Sequence, residues 1–90
     1  MAWKIEFHPG ADKEFARLGA AATQRILRFL NDRAASLDNP RAIGEALKGS
    51  KLGEFWKYRV GDYRVIARIE DSVVTIFIVR IGDRKSVYRR

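Results

Sequence analysis

The sequence predicts an α+β fold in which a two-helix hairpin packs on one face of a four-stranded, mostly antiparallel sheet. Three patterns support this prediction: a short alternating segment at the start, two segments with helical periodicity after it, and three strand-like runs at the end. The predicted order of elements is therefore β-α-α-β-β-β. Because a chain of 90 residues accommodates one hydrophobic core, we expect a single domain over residues 1–90.

The first strand and the first helix are predicted near the start of the chain. Residues 3–7 alternate between apolar and charged side chains, which is typical of a half-buried strand. Pro9 can begin a helix, because its missing N–H is not needed in the first helical turn. We expect this helix over about Pro9 to Leu18, with Gly19 as its end.

The second helix is predicted over about Ala21 to Leu37, and the sequence Asp38-Asn39-Pro40 ends it. The stretch from Pro40 to Gly53 is loop-like, with a possible helical turn at Ile43 to Leu47. The apolar side chains of the second helix recur at the helical period and predict the face that packs on the sheet: Ile26, Leu27, Leu30, Ala34 and Leu37.

Three strands are predicted in the second half, at Phe55 to Val60, Tyr63 to Ile69 and Val73 to Ile81. Gly61-Asp62 predicts a tight turn between the first two, and Glu70-Asp71-Ser72 separates the last two. The last run is apolar on both faces, which is typical of a central strand. Since the helix pair covers one face of the sheet, we expect the functional residues on the other face.

The charge distribution favours a polyanionic partner. The formal net charge is +7, and residues 55–90 contribute most of it, with nine Lys and Arg against four Asp and Glu. Such a field attracts polyanions and accelerates their association. Nucleic acid is the first candidate, an acidic protein fits equally well, and the excess charge can also serve solubility alone.

Several classes of site are excluded by composition. The absence of cysteine excludes disulfides and thiolate metal sites, and one histidine is too few for most zinc sites. The first residues lack the apolar core of a signal peptide, and no apolar run approaches the roughly 20 residues of a membrane span. We therefore expect a cytoplasmic protein that uses no metal and no cofactor.

Strand geometry predicts a cluster of three basic side chains. Lys57 and Arg59 alternate with the residues assigned to the core, so both point to the face that the helices leave uncovered. The Gly61-Asp62 turn makes the next strand a neighbour and brings Arg64 to the same surface. Three like charges this close repel each other unless an anion joins them, which predicts a phosphate-binding surface. The alternative is a solvated basic face without a site.

Two further candidates follow the last strand. Arg84 and Tyr88 are four residues apart, which places them on one side of a helical turn, although an extended tail would also bring them over the sheet. The alternative for Arg84 is an exposed charge in the tail. The alternative for Tyr88 is an aromatic plug that closes the core.

Several motifs occur in a fixed order along the chain. Lys-Tyr-Arg-Val-Gly-Asp-Tyr-Arg-Val-Ile at residues 57–66 is followed by Ile81-Gly82-Asp83-Arg84 and Val87-Tyr88. Phe15-Ala16-Arg17-Leu18 and Leu47-Lys48-Gly49 precede them. In this order the motifs resemble the RelE branch of the RelE/ParE toxins, over nearly the whole chain. The resemblance implies a microbial-RNase-like arrangement of the predicted elements.

The resemblance also implies an activity and its partners. It implies a toxin that enters the A site of the 70S ribosome, cuts messenger RNA there and inhibits translation. A RelB-like antitoxin encoded beside it would neutralise it, and operator DNA would be bound only through the antitoxin complex. The family's active residues are two basic side chains on the second strand, an Arg on the third, an Arg after the fourth and a Tyr near the C-terminus. They carry over respectively to Lys57, Arg59, Arg64, Arg84 and Tyr88.

The implied chemistry needs no added nucleophile, because the ribose 2′-OH can attack the neighbouring phosphate. Some family members have Lys where this chain has Arg59, and because arginine stays protonated, Arg59 can hold phosphate but cannot act as a general base. Proton transfer is then left to Lys57, to Tyr88 or to the ribosome, and clustered cations favour the phenolate of Tyr88. Arg64 and Arg84 are expected to bind the phosphate.

Two rival functions fit the same fold. A relative of the ParE branch would poison DNA gyrase by binding and would not be an enzyme. A module that binds RNA or an antitoxin through an inactive site is the other rival. The fold cannot separate these functions, because one scaffold serves different targets.

Overall fold

The computed structural model describes residues 3–47, 55–83 and 85. The main elements are β1 (Lys4–Phe7), α1 (Pro9–Leu18), α2 (Ala20–Phe29), β2 (Glu45–Ala46), β3 (Phe55–Val60), β4 (Tyr63–Glu70) and β5 (Thr75–Asp83). The strands form one sheet in the order β1-β5-β4-β3-β2, where β1 is parallel to β5 and the other neighbours are antiparallel. The predicted α+β class with a mostly antiparallel sheet is confirmed.

The short strand β2 makes the sheet five-stranded, where four strands were predicted. The helical turn predicted at Ile43 to Leu47 is wrong. A 3-10 turn forms earlier, over Pro40–Ile43, because the side chain of Asn39 accepts a hydrogen bond from the Arg41 N–H at 3.1 Å. The chain then extends, and Glu45–Ala46 pairs antiparallel with β3.

The second predicted helix changes its geometry before it ends. The α-helix stops at Phe29 and continues as a π-helical turn over Leu30–Ala34, where the N–H of Ala35 donates to the carbonyl of Leu30 at 2.7 Å. The wider turn lets both Ala34 and Ala35 face the core, whereas α-helical spacing would turn one of them away. No helix in the described ranges is long and apolar enough to cross a bilayer.

The predicted pairing of the two central strands is confirmed. Val60 and Tyr63 are paired residues, so Gly61-Asp62 forms the predicted two-residue turn. Gly61 has a φ of 61°, as in a type II′ turn, whose first central position favours glycine. The last strand also lies inside the sheet, between β1 and β4, as its apolar sequence predicts.

The helices cover one face of the sheet, which we call the core face. Its fully buried side chains include Tyr58, Val65 and Ile78 of the strands and Ile26 of α2. No described helix covers the opposite face, which we call the basic face. By strand register and alternation, the basic face presents Lys4, Glu6, Glu45, Phe55, Lys57, Arg59, Arg64, Ile66, Arg68, Glu70, Thr75, Phe77, Arg80 and Gly82.

Candidate nucleic-acid interface and active site

Three of the predicted site residues lie together on the basic face. Arg59 of β3 pairs directly with Arg64 of β4, and Lys57 lies two residues from Arg59 on the same face. Same-face neighbours on a strand are about 6.6 Å apart, and paired residues are closer still, so one phosphate can contact all three side chains. We call Lys57, Arg59 and Arg64 the cationic cluster.

Arg59 is the exposed member of the cluster, whereas Lys57 and Arg64 are half-buried. Its side chain is 67% exposed, and its nearest ion-pair partner, the Oε1 of Glu45, is 3.7 Å from its Nε. An exposed pair at this distance contributes only about 0–1 kcal/mol. A phosphate can therefore replace Glu45 beside Arg59 at little cost.

The guanidinium of Arg64 is held against the turn between β3 and β4. Its Nη1 donates to the carbonyl of Gly61 at 3.0 Å and to the carbonyl of Tyr63 at 2.9 Å. These contacts restrict the rotamers of a long side chain, so less conformational entropy is lost when an anion binds. The short Gly61-Asp62 turn therefore organises the cluster as well as joining the strands.

An apolar residue lies between the cations of neighbouring strands. Ile66 pairs with Lys57 on one side and with Arg80 on the other, and its exposure is only 6%. Charged groups beside such a surface interact more strongly than in open water, because the local dielectric constant is lower. Ile66 therefore favours electrostatic binding of an anion at this position.

A β-bulge brings Arg80 to the basic face. Ile66 pairs with Arg80 but the next residue, Ala67, pairs with Ile78, so Val79 has no partner on β4. Without this extra residue, alternation would turn Arg80 towards the core with Ile78. Arg80 thus extends the row of side chains that begins at Lys57.

Glu14 of α1 holds the backbone of β5 next to Arg80. Its Oε1 accepts a hydrogen bond from the N–H of Ile81 at 2.8 Å, and its Oε2 is 3.8 Å from the Nε of Arg80. This part of β5 extends past the end of β1, so the N–H of Ile81 has no partner in β1. The carboxylate supplies the missing acceptor and partly compensates the charge of Arg80.

Arg84 and Tyr88 lie outside the described residues. The strand that leads to them is described as far as Asp83, and Gly82 pairs with Arg64 of the cationic cluster. The described part of β5 therefore ends beside the cluster. The roles expected for Arg84 and Tyr88 stay predictions.

Tyr58, which precedes Arg59 in β3, has a structural role. It is fully buried on the core face, and its hydroxyl donates to the carbonyl of Pro40 at 2.7 Å. Burial raises the pKa of Tyr58 to about 12, because the phenolate would lose its hydration. Tyr58 is therefore a neutral core residue and lies on the opposite face from the cluster.

Arg41 and Asp71 tie the 3-10 turn before β2 to the turn between β4 and β5. Their side chains form two hydrogen bonds, at 3.1 and 2.7 Å. The hydrogen bond from Arg41 lowers the pKa of Asp71 and correspondingly raises the pKa of Arg41. This pair is a structural link and lies apart from the cationic cluster.

Four residues of this region are not among the predicted site residues: Glu14, Arg68, Phe77 and Arg80. The alternation of β4 places Arg68 on the basic face with Arg64, so that signal was available. Strand alternation could not predict the face of Arg80, because its orientation depends on the bulge at Val79. Glu14 and Phe77 act through contacts between distant segments, which periodicity does not reveal.

The fold and the sequence agree with a known class of proteins. The chain belongs to the RelE/ParE superfamily of toxins from type II toxin–antitoxin systems: the family described as "ParE toxin of type II toxin-antitoxin system, parDE" matches residues 5–88. The resemblance to this superfamily seen in the sequence motifs is therefore confirmed.

Individual relatives point to the RelE branch. The chain is 37% identical to Toxin RelG of Mycobacterium tuberculosis over 90 residues, which cover 100% of both chains. It is similar in structure to a chain of the toxin–antitoxin complex RelBE2 from Mycobacterium tuberculosis, with a TM-score of 0.82, 23% identity and 93% of each chain covered. It is also similar to a chain of the archaeal RelE–RelB complex from Pyrococcus horikoshii, with a TM-score of 0.71, 26% identity, and 94% and 98% of the two chains covered.

Proposed function

We propose that this toxin is a metal-independent endoribonuclease that cleaves messenger RNA in the ribosomal A site and so inhibits translation. The observation that carries the proposal is the cationic cluster, in which Arg59 and Arg64 are directly paired on a face that no described helix covers. Adjacent like charges destabilise a sheet, and a bound phosphate compensates for this. The similarity to Toxin RelG supports the assignment to the RelE branch.

The proposed reaction is an internal transesterification. The ribose 2′-oxygen forms a bond to phosphorus while the bond from phosphorus to the 5′-oxygen breaks, leaving a 2′,3′-cyclic phosphate. A general base takes the proton of the 2′-OH, and a general acid supplies a proton to the leaving 5′-oxygen. Preorganised cations stabilise the charge that develops on the phosphate oxygens, which is commonly the largest single contribution.

The site residues divide these tasks. Arg64 and Arg84 bind the phosphate, and Arg59 neutralises it without acting as a general base. Lys57 and Tyr88 are the candidates for proton transfer, with Tyr88 the preferred general base. One electrostatic contact contributes about 10²–10³ in rate and acid–base catalysis about 10²–10⁴, so the two ranges overlap. Since Lys57 is a second candidate for proton transfer, we expect Arg84→Ala to slow cleavage at least as much as Tyr88→Phe. Single-turnover cleavage on programmed ribosomes measures both, and a wild-type rate for Arg84→Ala would remove that residue from the site.

The proposed partners are a RelB-like antitoxin, the 70S ribosome and messenger RNA, all in the cytoplasm. The archaeal RelE chain to which this toxin is similar was solved in complex with RelB. Acidic antitoxin side chains over Arg64 and Arg84 would block phosphate directly, or the antitoxin would displace the segment that carries Tyr88. Operator DNA would be bound only through the antitoxin complex.

The proposal is tested by expressing the toxin without its antitoxin and mapping message ends by primer extension. The expected result is rapid growth arrest with new ends inside translated codons, and no such ends when translation is blocked. Co-expression of the antitoxin is expected to prevent both.

The ParE branch supplies the rival outcome, because the matching family description names ParE. Gyrase-linked DNA breaks with intact messages would replace the proposed activity with gyrase poisoning. Growth without arrest would indicate an inactive binding module. The triple variant Lys57→Ala, Arg59→Ala, Arg64→Ala is the matched control. It should abolish a growth arrest that results from RNA cleavage, whereas gyrase poisoning does not require an RNA-cleaving site.

A further inference from the structure

A second feature of the basic face lies at the opposite end of β4 from Arg64. A groove of about 380 Å³ opens between β1, β5 and β4. Its lining includes Lys4 and Glu6 of β1, Arg68 and Glu70 of β4, and Phe77 of β5. The groove and the cationic cluster therefore share one face of the sheet.

The groove contains a cation–π contact that is formed before any ligand binds and that we call the Arg68–Phe77 stack. The Cζ of Arg68 lies 5.5 Å from the centroid of the Phe77 ring, and the Nε of Arg68 is 2.7 Å from the Oε2 of Glu70. The ring and the carboxylate together restrict the guanidinium. The Arg68 side chain is still 39% exposed, so part of it faces the groove and can contact a ligand.

The charges of the groove favour a flat, uncharged ligand over a phosphate. Two cations and two carboxylates line it, and the charge of Arg68 is already compensated by Glu70. An added phosphate would meet the carboxylates of Glu6 and Glu70 as well as the cations. A planar guanidinium, in contrast, stacks on a nucleobase whether or not its charge is compensated.

We propose that the Arg68–Phe77 stack binds a nucleobase of the same RNA strand whose phosphate binds the cationic cluster. The inference rests on the proposed function and assigns a second binding position to it. Arg64 and Arg68 are four residues apart on one face of β4, which corresponds to about 13 Å. The bound base therefore belongs to a nucleotide near the cleaved bond, and stacking on a guanidinium plane tolerates different bases.

The test combines a variant of the stack with RNA that lacks one base. Arg68→Met keeps an aliphatic side chain over Phe77 and removes the guanidinium plane. Arg33→Met is the matched control, because Arg33 lies over the ring of Phe29, 6.0 Å from its centroid, among the helices. Cleavage of ribosome-bound messages is measured with a single abasic nucleotide placed in turn at each position flanking the cleaved bond, and KM and kcat are determined separately.

For the wild-type protein and Arg33→Met, we expect one abasic position to raise KM about tenfold, as is typical for loss of one stacked base. Arg68→Met should show the same raised KM already with intact RNA, and its kcat should equal that of the wild type. Removing the base at that position should then raise the KM of Arg68→Met no further. An Arg68→Met variant that keeps the wild-type dependence on the base would overturn the inference while leaving the proposed nuclease intact. An unchanged KM with weakened antitoxin binding would also overturn it, since the groove would then bind a peptide. If the wild-type protein cleaves no message, the proposed function and this inference fail together.

Discussion

The two faces of the sheet are built from alternate residues of the same strands, yet they differ in what stabilises them. On the core face, Tyr58, Val65 and Ile78 are fully buried against the helices. On the basic face, six described cations are accompanied by three carboxylates. The core face therefore supplies the free energy of folding, and the basic face carries charges that folding alone does not require.

Polar contacts follow the same division. Every buried side-chain nitrogen or oxygen in the described part of the chain has a hydrogen-bond partner, as the hydroxyl of Tyr58 does. On the basic face, the ion pairs of Arg59 and Arg80 are long, at 3.7 and 3.8 Å, and the short pair of Arg68 with Glu70, at 2.7 Å, is more than a third exposed. Short, buried contacts specify one structure, whereas long, exposed contacts are easily exchanged for a ligand.

The largest expected effect on stability comes from the core face. Ile78→Ala removes a fully buried side chain from a central strand and should lower the free energy of unfolding by about 2–5 kcal/mol. Arg59→Ala, on the exposed side of the same sheet, should change it by about 0.5 kcal/mol or less. Urea denaturation of both variants measures the difference. Equal losses would mean that the basic face contributes to folding as much as the core.

For activity, the basic face should matter more than the rest of the molecule. Arg64→Ala should reduce the single-turnover cleavage rate about 10²–10³-fold, because it removes a preorganised phosphate contact. Its thermal midpoint should stay near that of the wild type. Arg28→Ala, which removes an equivalent exposed charge from α2, is the control and should leave the rate unchanged. A similar loss in both variants would point to a general effect of net charge on ribosome binding.

The features that the sequence predicts correctly are those that depend on residues close together along the chain. The extent of α1, the pairing of Val60 with Tyr63 and the shared face of Lys57, Arg59 and Arg64 all follow from periodicity and one glycine turn. The strand β2 and the orientation of Arg80 could not be predicted from such local patterns. Each depends on a contact between distant segments: pairing with the edge of β3 in one case, and an unpaired Val79 opposite β4 in the other.

The pH dependence of stability offers a test of the core face. Because burial raises the pKa of Tyr58 to about 12 while an unfolded tyrosine ionises near 10, the unfolded state loses this proton first as pH rises. The stabilisation from a neutral Tyr58 is complete below pH 10 and declines as pH rises towards 12. A shift of this size corresponds to a loss of about 2–3 kcal/mol.

Tyr58→Phe isolates that effect from the other alkaline titrations. At pH 8 the variant should be less stable by about 1 kcal/mol, because the carbonyl of Pro40 loses its hydrogen bond. Urea denaturation from pH 8 to 11 should show a shallower alkaline decline for Tyr58→Phe than for the wild type. Parallel declines would show that Tyr58 is accessible to water in the folded protein.

A local effect is expected where the two faces meet, at the outer edge of β5. Glu14→Ala removes the acceptor of the Ile81 N–H and should cost about 1–2 kcal/mol. Glu14→Gln keeps an acceptor and loses only the long ion pair with Arg80, so about 0.5 kcal/mol is expected. Hydrogen exchange of the Ile81 amide separates the two contributions, because it should accelerate in Glu14→Ala and stay slow in Glu14→Gln. Equally fast exchange in both variants would mean that the charge of Glu14, and not its hydrogen bond, holds the end of β5 beside the cationic cluster.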